Sequence, residues 1–542
     1  NDNNNNDNNG NNGNITNNTN NNITNNTNSN NNNNNNNNNE EENNLKLILE
    51  LFKKNLSDEV EALELGCHLY PINSIGHGGV HNNFIEALDW LGEENRSNNF
   101  LSRLKAFPIQ AEQWKELLRY GISQNKVAST AMLRKVPQQF ERILSNLNDS
   151  TGPISNLLSE VPDELRDEAE SAKLNFIASI NDLKQFIENE YLPHARVTCG
   201  ISGLPNGLEL YNVCLKYHTT TSLTPEEIHS IGLSEVERIE LRYQNDVLKP
   251  LNHDSTFESF VEKYKSPESG QYYTRQSDLL EGYRILTSHI EKKLDQYFEI
   301  FPKSEMEIVP LDVATAPAAY YMQGTSDGKR PGKFFVNVSN LNQRPIYEMT
   351  ALALHEGIPG HHFQGSLAIE NDKIPSFLRY IEDRRYEFCP ARRQLYAAYL
   401  EGWALYCEAL GEEMGLYATP LNIFGRLSME MMRAVRLVVD TGIHYKGWTV
   451  EEAIQYMMSK TGMHRHECEA ECYRYEAWPG QACSYKIGEV AIWRMRRKAE
   501  ATLGEKFNIR QFHTCLLDSG PMPLDTLADK VDAWIQRKLE EN

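Results

Sequence analysis

The chain has 542 residues, nine cysteines and a net charge of −21, with 75 acidic against 54 basic side chains. This surplus of acids argues against nucleic acid as a partner, because phosphate binding needs clustered Lys and Arg. Nine scattered cysteines are too sparse for a disulfide framework, and no apolar run is long enough to predict a membrane span.

Residues 1–44 are almost pure Asn with scattered Thr, Gly and Asp. Such a composition buries too little apolar surface to offset its ordering entropy, so we predict a disordered low-complexity segment. Residues 45–542 show no internal repeat or linker, and we expect a single domain with room for two lobes about a cleft. Because the first residue is Asn rather than Met, we expect a fragment or a processed form, and the sequence predicts no localisation.

Helical periodicity dominates from about residue 45. Apolar residues recur at three- and four-residue steps in 45–54 and 164–190. Thr224 and Thr449 each precede a Glu placed for a capping box, so each predicts a helix start. The clearest strand signal is the aromatic and β-branched stretch 332–338. We therefore predict a mainly α fold, in which a large helical body surrounds a cleft and carries a small β element.

The adjacent residues His355 and Glu356 end a predicted helix over 347–356. Neutral imidazole is a good zinc ligand, and a carboxylate next to it can act as general base on a water beside the metal. This is the chemistry of the His-Glu-x-x-His motif, in which two histidines one turn apart hold one ion. The pair therefore indicates a zinc site.

The second histidine of that motif is displaced in this chain. Pro359 takes its place, and since Pro lacks an N–H and clashes with the carbonyl of His355, we expect the helix to kink or bulge there. The distortion would bring His361 back to the metal. His362 is the alternative, but in an undistorted helix it would lie about 10.5 Å from His355 along the axis. We favour His361.

A third ligand is expected near residue 401. Glu401 is the only charged residue between Leu395 and Cys407, and a carboxylate in apolar surroundings is costly unless it binds a cation. Glu408, seven residues further on, is the second choice. The alternative to a metal role is an ion pair between Glu401 and an arginine in the pair 392–393.

Five blocks of the chain resemble the DUF885 family, a group of unknown function placed among the zinc metallopeptidases of the thermolysin-like superclan. The resemblance runs from about residue 45 to the end of the chain, and its blocks are, in order, 327–332, 355–364, 401–406, 436–444 and 478–482.

The resemblance implies a gluzincin-like, mainly helical body in which two His and one Glu hold zinc (Zn). Gly360 and His361 are similar to the Gly-His pair of His-Glu-x-Gly-His peptidases after a two-residue insertion. Glu401 is similar to the ligand Glu of zinc aminopeptidases. Tyr485 resembles the Tyr that stabilises the developing oxyanion in related peptidases.

Candidate substrate contacts come from two places. The strand that contains Phe335 and Asn337 lies where such enzymes carry an edge strand that pairs with an extended peptide, although an internal strand would give the same pattern. Arg436, Asp440 and His444 recur at four-residue steps on one helix face. They indicate support for the metal ligands, a clamp for a substrate terminus, or a solvated polar face.

The leading hypothesis is a zinc metallopeptidase with His355, His361 and Glu401 as ligands and Glu356 as general base. Its substrate would be a peptide or a small amide. Two alternatives use the same fold: a zinc hydrolase of non-peptide amides or esters, and a catalytically silent binding protein.

Overall fold

The computed structural model describes residues 28–75, 79–82, 95–149, 152–252, 256–314, 316–380 and 395–541. The chain divides into two compact units, Asn1–Asn55 and Leu56–Asn542. Helix α1, Asn28–Glu64, begins inside the Asn-rich segment that composition predicts to be disordered. A helix forms its backbone hydrogen bonds between residues four apart and needs no apolar face to do so. A composition poor in apolar residues therefore does not exclude a helix. Residues 1–27 of that segment lie outside the described residues.

The prediction of a mainly α fold is confirmed. The α-helices that follow α1 among the described residues are α2 Arg96–Ser123, α3 Thr130–Leu133, α4 Val136–Asn148, α5 Pro153–Ser159, α6 Asp163–Phe186, α7 Gly207–Thr219, α8 Pro225–Arg242, α9 Phe257–Lys265, α10 Gln276–Glu291, α11 Met349–Leu352, α12 His361–Glu370, α13 Ser376–Arg379, α14 Ala397–Glu413, α15 Pro420–His444, α16 Val450–Thr461, α17 Arg465–Ala477, α18 Ser484–Leu503, α19 Ile509–Leu517 and α20 Leu524–Glu540. None of the helices described is long and apolar enough to cross a membrane.

Both predicted capping boxes are present. The Thr224 hydroxyl accepts a hydrogen bond from the backbone N–H of Glu227 at the start of α8, and Glu227 accepts from the backbone N–H of Thr224. Thr449 and Glu452 make the same reciprocal pair at the start of α16. Each box satisfies N–H groups that the first helical turn leaves without partners.

The small β element is a three-stranded sheet. Its strands are β1 Met306–Leu311, β2 Ala319–Met322 and β3 Gly332–Asn337, and their order is β1-β3-β2. β3 pairs with β1 in parallel and with β2 in antiparallel orientation. The strand that contains Phe335 is therefore central, because β1 and β2 pair with both of its sides. Of the two positions that the sequence left open for it, edge and internal, the edge position is excluded.

Buried apolar side chains form two main clusters among the described residues. One is centred on α2, α4 and α6, and the other on α8, α15, α16 and α17.

Two further helices, α14 and α18, meet at glycines. A Cβ added to Gly488 would lie 1.9 Å from the carbonyl oxygen of Ala398, and one added to Gly402 would lie 2.4 Å from the backbone of Gly488. The missing side chains let these two backbones come into direct contact.

Candidate metal centre

The His355 segment ends in a tight turn. Residues Ala353–Gly357 form a π-helical turn, the chain then reverses through Ile358–Gly360 with a cis peptide bond before Pro359, and α12 begins at His361. A Cβ on Gly360 would lie 2.0 Å from the carbonyl oxygen of His355, so this turn requires glycine. The expected distortion at Pro359 is confirmed, although the helix ends there rather than kinking.

The turn brings His361 back beside His355. Their ring centroids lie 4.8 Å apart with the ring planes nearly perpendicular. The Trp403 indole N–H donates to the carbonyl oxygen of Pro359 over 2.8 Å, which ties the turn to α14. One helix therefore holds the turn and also carries Glu401.

Glu401 lies between the two histidines. Its Oε2 atom is 3.4 Å from Nε2 of His355 and 3.4 Å from Nε2 of His361, and among the described residues that buried oxygen has no hydrogen-bond partner. The three ligand atoms all lie within 4.8 Å of one another. Arg392 and Arg393, the alternative partners for Glu401, lie outside the described residues.

These separations fit a tetrahedral zinc ion. Zinc bonds of about 2.0–2.1 Å at tetrahedral angles place neighbouring ligand atoms about 3.3–3.4 Å apart. Both Glu401 distances match that value, and two imidazoles with one carboxylate are a donor set that zinc takes when a fourth position stays open for water. The residues present therefore fit the ion that the family resemblance implies.

The charges of the cluster also favour a cation. Burial alone would raise the pKa of the Glu401 carboxyl, but His355 and His361 outweigh it and hold the pKa well below its usual range. Burial alone would lower the pKa of His355, yet Glu401 and Glu408 raise it to about 9. The two carboxylates thus favour positive charge at the His355 ring, beside the place where a divalent ion would sit.

Glu408 orients His355 from the opposite side. Its Oε1 accepts a hydrogen bond from Nδ1 of His355 at 2.7 Å, and the side chain is 1% exposed. This bond fixes the ring so that Nε2 faces Glu401. Glu408 is therefore not the alternative third ligand that its spacing suggested. One feature of the sequence could have indicated this orienting role: Glu408 follows Glu401 by seven residues, which is two turns along α14.

His362 points away from the cluster. Its Nδ1 lies 3.1 Å from the Tyr321 hydroxyl on β2 and 3.5 Å from the Ser366 hydroxyl. Burial lowers the pKa of His362 to about 4, so the ring is neutral. Of the two adjacent histidines, His361 converges with His355 and Glu401, and His362 attaches α12 to the sheet.

Glu356, the predicted general base, lies beside the same cluster. Burial raises the pKa of its carboxyl, while His355 and His361 partly oppose that shift. The nearby charge of Glu401 raises that pKa further, so the carboxyl lies within the electrostatic range of all three candidate ligands. A carboxyl whose pKa is raised by burial is suited to accept a proton in general base catalysis.

Tyr485, on α18, lies within the electrostatic range of Glu401. Burial raises the pKa of its phenol, and the nearby charge of Glu401 raises it further. The Arg436 guanidinium lies 4.4 Å from the centre of the Tyr485 ring and opposes that shift, as does Arg474. The contact between Gly402 on α14 and Gly488 on α18 keeps Tyr485 close to Glu401.

Two of the candidate substrate contacts on α15 have different surroundings. Arg436 donates from Nε to the Tyr475 hydroxyl and from Nη2 to Glu471, both at 3.0 Å, while its buried Nη1 has no partner among the residues that the structure describes. His444 is completely buried, accepts at Nδ1 from the backbone N–H of Ile201, and donates from Nε2 to the carbonyl of Tyr475. Both ring nitrogens of His444 are occupied, so it supports the fold and cannot contact substrate.

The candidate substrate contacts on β3, Asn337 and Phe335, do not have the surroundings that the sequence led us to expect. Asn337 is completely buried, and its amide nitrogen donates to the carbonyls of Val313, Ala316 and Pro317, which shapes the loop before β2. Phe335 stacks on Tyr320 with ring centroids 4.8 Å apart. Successive strand residues face opposite sides of a sheet.

The opposite face of β3 is the one nearer the cluster. Phe334 lies within 4.0 Å of a Cβ placed on Gly357, which ends the segment that carries His355 and Glu356. Phe335, the next residue along the strand, therefore faces away from that segment.

Comparisons with known proteins agree with this architecture. The family described as "Bacterial protein of unknown function (DUF885)" matches residues 27–531. A crystal structure described as a candidate lipoprotein from Colwellia psychrerythraea has 30% sequence identity and a TM-score of 0.73, covering 86% of this chain and 81% of its own. A second candidate lipoprotein, from Shewanella oneidensis, has 18% identity and a TM-score of 0.60, with 83% and 81% covered. No curated protein matches the chain. The chain belongs to the DUF885 family.

Proposed function

We propose that the protein is a zinc-dependent hydrolase that cleaves peptide bonds at the cluster of His355, His361 and Glu401. The observation that carries this proposal is the position of Glu401 Oε2, 3.4 Å from Nε2 of each histidine and without a hydrogen-bond partner in the described part of the chain. A buried carboxylate in that position costs free energy unless a cation shares it. When bound, zinc would supply a Lewis acid that acidifies water and polarises a carbonyl group.

Each of the side chains around the cluster would have a separate role in the reaction. Glu356 would accept the proton of the attacking water and pass it to the leaving amine. The Tyr485 hydroxyl would donate a hydrogen bond to the oxyanion that develops on the scissile carbonyl. Arg436 lies under the Tyr485 ring, and its charge favours the polarised state of that hydroxyl. Glu408 would keep His355 in the ligand orientation.

The edge of the sheet suggests how a peptide would lie. β2, rather than β3, is an edge strand, since among the described strands it pairs only with β3. It also packs against the Ala353–Gly357 segment that carries His355 and Glu356. An extended peptide added to the free side of β2 would run past the cluster with its backbone paired.

The substitution Glu356→Gln tests the proposed mechanism. With zinc bound, we expect the rate of peptide cleavage to fall by about 10²–10⁴-fold, because the amide cannot take the proton. Zinc content, measured by elemental analysis, should stay at the wild-type level. The exposed Glu505→Gln variant is the control for the substitution itself.

A panel of quenched peptides, acyl amides and esters reads out the substrate class. Wild-type rates in Glu356→Gln would overturn the assignment of the base. Cleavage of amides or esters without cleavage of any peptide would leave the zinc chemistry and remove the peptidase assignment. Stoichiometric zinc without hydrolysis of any substrate would favour a binding protein.

A further inference from the structure

Helix α1 carries a row of exposed apolar side chains. Of the 19 large apolar side chains that are exposed in the described part of the chain, six lie on this one helix. Each of the six is between 45% and 58% exposed. We call them the α1 stripe, and its members are Leu45, Leu49, Phe52, Leu56, Val60 and Leu63.

The members of the α1 stripe lie on one side of the helix. Their successive spacings are four, three, four, four and three residues. At about 100° per residue, these spacings place all six within an arc of about 80° and along about 27 Å of the helix axis. An apolar arc of that width, with steps of three and four residues, is the pattern through which two helices pack in a coiled coil.

Helix α1 buries a different side of itself. Leu51 and Ala62 are both buried, and they lie roughly 130° around the helix from the centre of the α1 stripe. The stripe is therefore not the side on which α1 is packed, and the described residues leave it about half exposed. A continuous exposed apolar surface of this kind marks an interaction site, whereas single exposed apolar residues do not.

The α1 stripe is nearly palindromic. Leu45 and Leu63 lie nine residues on either side of residue 54, and Phe52 and Leu56 lie two residues on either side of it. The other two members are five residues before it and six residues after it. A stripe with this symmetry is complementary to a second copy of itself that runs in the opposite direction, which is the arrangement that a two-fold axis produces.

The charges on α1 favour the same antiparallel direction. Residues 45–54 contain three Lys and one Glu, whereas residues 55–64 contain four acidic side chains and no basic one. Lys46 and Glu64 are both exposed, and both lie about 80° around the helix from the centre of the α1 stripe, on the same side. An antiparallel pair of helices would bring Lys46 of each copy close to Glu64 of the other. A parallel pair would bring like charges together.

We propose that the protein forms a two-fold symmetric dimer through the α1 stripe, in which the α1 helices of two copies pair in antiparallel orientation. Leu45 would pack on Leu63 of the partner subunit, and Phe52 on Leu56 of the partner subunit, so that the apolar side chains of both copies leave water. A lipid membrane is the other apolar surface that an exposed helix face can meet. It fits less well, because anionic headgroups repel the acidic half of α1 and a chain with a net charge of −21.

Sedimentation velocity of the full chain tests for the dimer. Over about 1–100 µM protein we expect a reversible transition from monomer to dimer, since a single helix pair is a small interface. Combining Leu49→Lys with Leu56→Lys should raise the dissociation constant at least about 100-fold, because each copy would bring two unpaired cations into the apolar contact. Both leucines are exposed within one copy, so we expect this double variant to melt at the wild-type temperature.

Leu174→Lys is the matched control for those changes. Leu174 lies on α6 and is 67% exposed, and it has no part in the α1 stripe. The variant should keep the wild-type dissociation constant, which would show that an added surface lysine does not by itself prevent association.

Charge reversal tests the direction of pairing. Lys46→Glu alone and Glu64→Lys alone should each weaken the dimer about three- to tenfold, because each puts like charges side by side in both symmetric pairs. The two changes combined should restore the wild-type dissociation constant. A combined variant that is no tighter than the single variants would exclude the antiparallel arrangement.

Two results would overturn the dimer itself. One is a chain that stays monomeric at about 100 µM. The other is a dimer that persists unchanged when Leu49→Lys and Leu56→Lys are combined. Binding of the monomeric chain to vesicles of phosphatidylcholine and phosphatidylserine, lost in that double variant, would assign the α1 stripe to a membrane surface instead.

Discussion

The adjacent histidines His361 and His362 differ in what they face. His361 converges on Glu401, whereas His362 is 1% exposed and lies against the Tyr321 hydroxyl. We expect His361→Ala to lower zinc affinity by more than the 10–100-fold typical of losing an outer partner of a ligand, since it removes a ligand itself.

His362→Ala is the matched control for that change. It should keep zinc affinity near the wild-type value while lowering thermal stability, because it deletes a buried side chain. Competition with a fluorescent zinc chelator measures both affinities. Equal loss of zinc in the two variants would mean that His361 is not the specific ligand.

His513 gives a prediction about pH. It is completely buried, donates from Nδ1 to the carbonyl of Tyr297, and accepts at Nε2 from the Tyr406 hydroxyl, both at 2.8 Å. Burial lowers its pKa to about 3. The folded chain therefore holds a neutral ring, while the unfolded chain protonates near pH 6.5. The stability from this ring is complete above about pH 6.5 and is lost as pH falls toward 3.

We expect His513→Gln to be less stable than wild type at neutral pH. The difference in unfolding free energy should shrink by about 1.4 kcal/mol per pH unit below about pH 6.5. Urea unfolding at several values between about pH 8 and pH 5 measures it. The exposed His466→Gln variant controls for the substitution. A difference that does not change with pH would show that the ring titrates alike in both states.

Helices α14 and α18 depend on their glycine contact. A Cβ at Gly488 would overlap the carbonyl oxygen of Ala398, whereas one at Gly365 on α12 would lie 3.5 Å from the Gln323 side chain, an ordinary contact. Gly488→Ala should therefore destabilise the protein by about 1–3 kcal/mol. It should also reduce activity by moving Tyr485 away from Glu401.

Gly365→Ala is the control within a helix. Alanine is favoured over glycine there by about 0.8–1.0 kcal/mol, so this variant should be as stable as wild type or more so. Chemical denaturation of both variants gives the comparison. Equal stability of Gly488→Ala and Gly365→Ala would mean that the two helices can separate without cost.

The long helices are joined by a buried ion network. Glu430 on α15 is 2% exposed and pairs with Arg426 at 2.6 Å, with Lys486 on α18 at 2.6 Å, and more closely with Arg238 on α8. Lys486 follows Tyr485 in sequence, so the network also fixes the start of α18 beside the metal centre.

We expect Glu430→Gln to destabilise the protein by about 3–5 kcal/mol, since it leaves buried cations without their shared partner. The unfolding midpoint in urea measures this loss. Glu451→Gln, which breaks an exposed pair with Arg465, should have little effect. A Glu430→Gln variant as stable as wild type would show that the neighbouring Glu235 and Glu489 suffice.

The features that the sequence predicted correctly depend on neighbours within a few positions. The capping boxes at Thr224 and Thr449 each involve residues three apart. The distortion at Pro359 follows from the lost N–H of one residue. Helical periodicity likewise predicts the mainly α class, because a helix closes its hydrogen bonds within each turn.

Local sequence pattern alone was not enough to predict which side chains come together in the cluster. The choice of His355, His361 and Glu401 from sequence rested on residue type, spacing and family resemblance. Glu401 and Glu408 are both glutamates on α14 that contact His355, but each contacts a different side of the imidazole ring. That side is set by how α14 packs against the Ala353–Gly357 segment, so spacing alone suggested both residues as ligands.

Tertiary structure alone decided the surroundings of the remaining candidates. The sequence identified Phe335 and Asn337 as strand residues, but β1 and β2 pair with both sides of β3 and remove the expected edge. His444 occurs at helical spacing with Arg436, yet Ile201 and Tyr475 occupy both of its ring nitrogens. By itself the sequence determined the mainly helical class and the capping boxes, since those properties are local, and it indicated candidate metal ligands by residue type and spacing. Strand order and burial depend on segments far apart in the chain, so only the packed molecule fixed them.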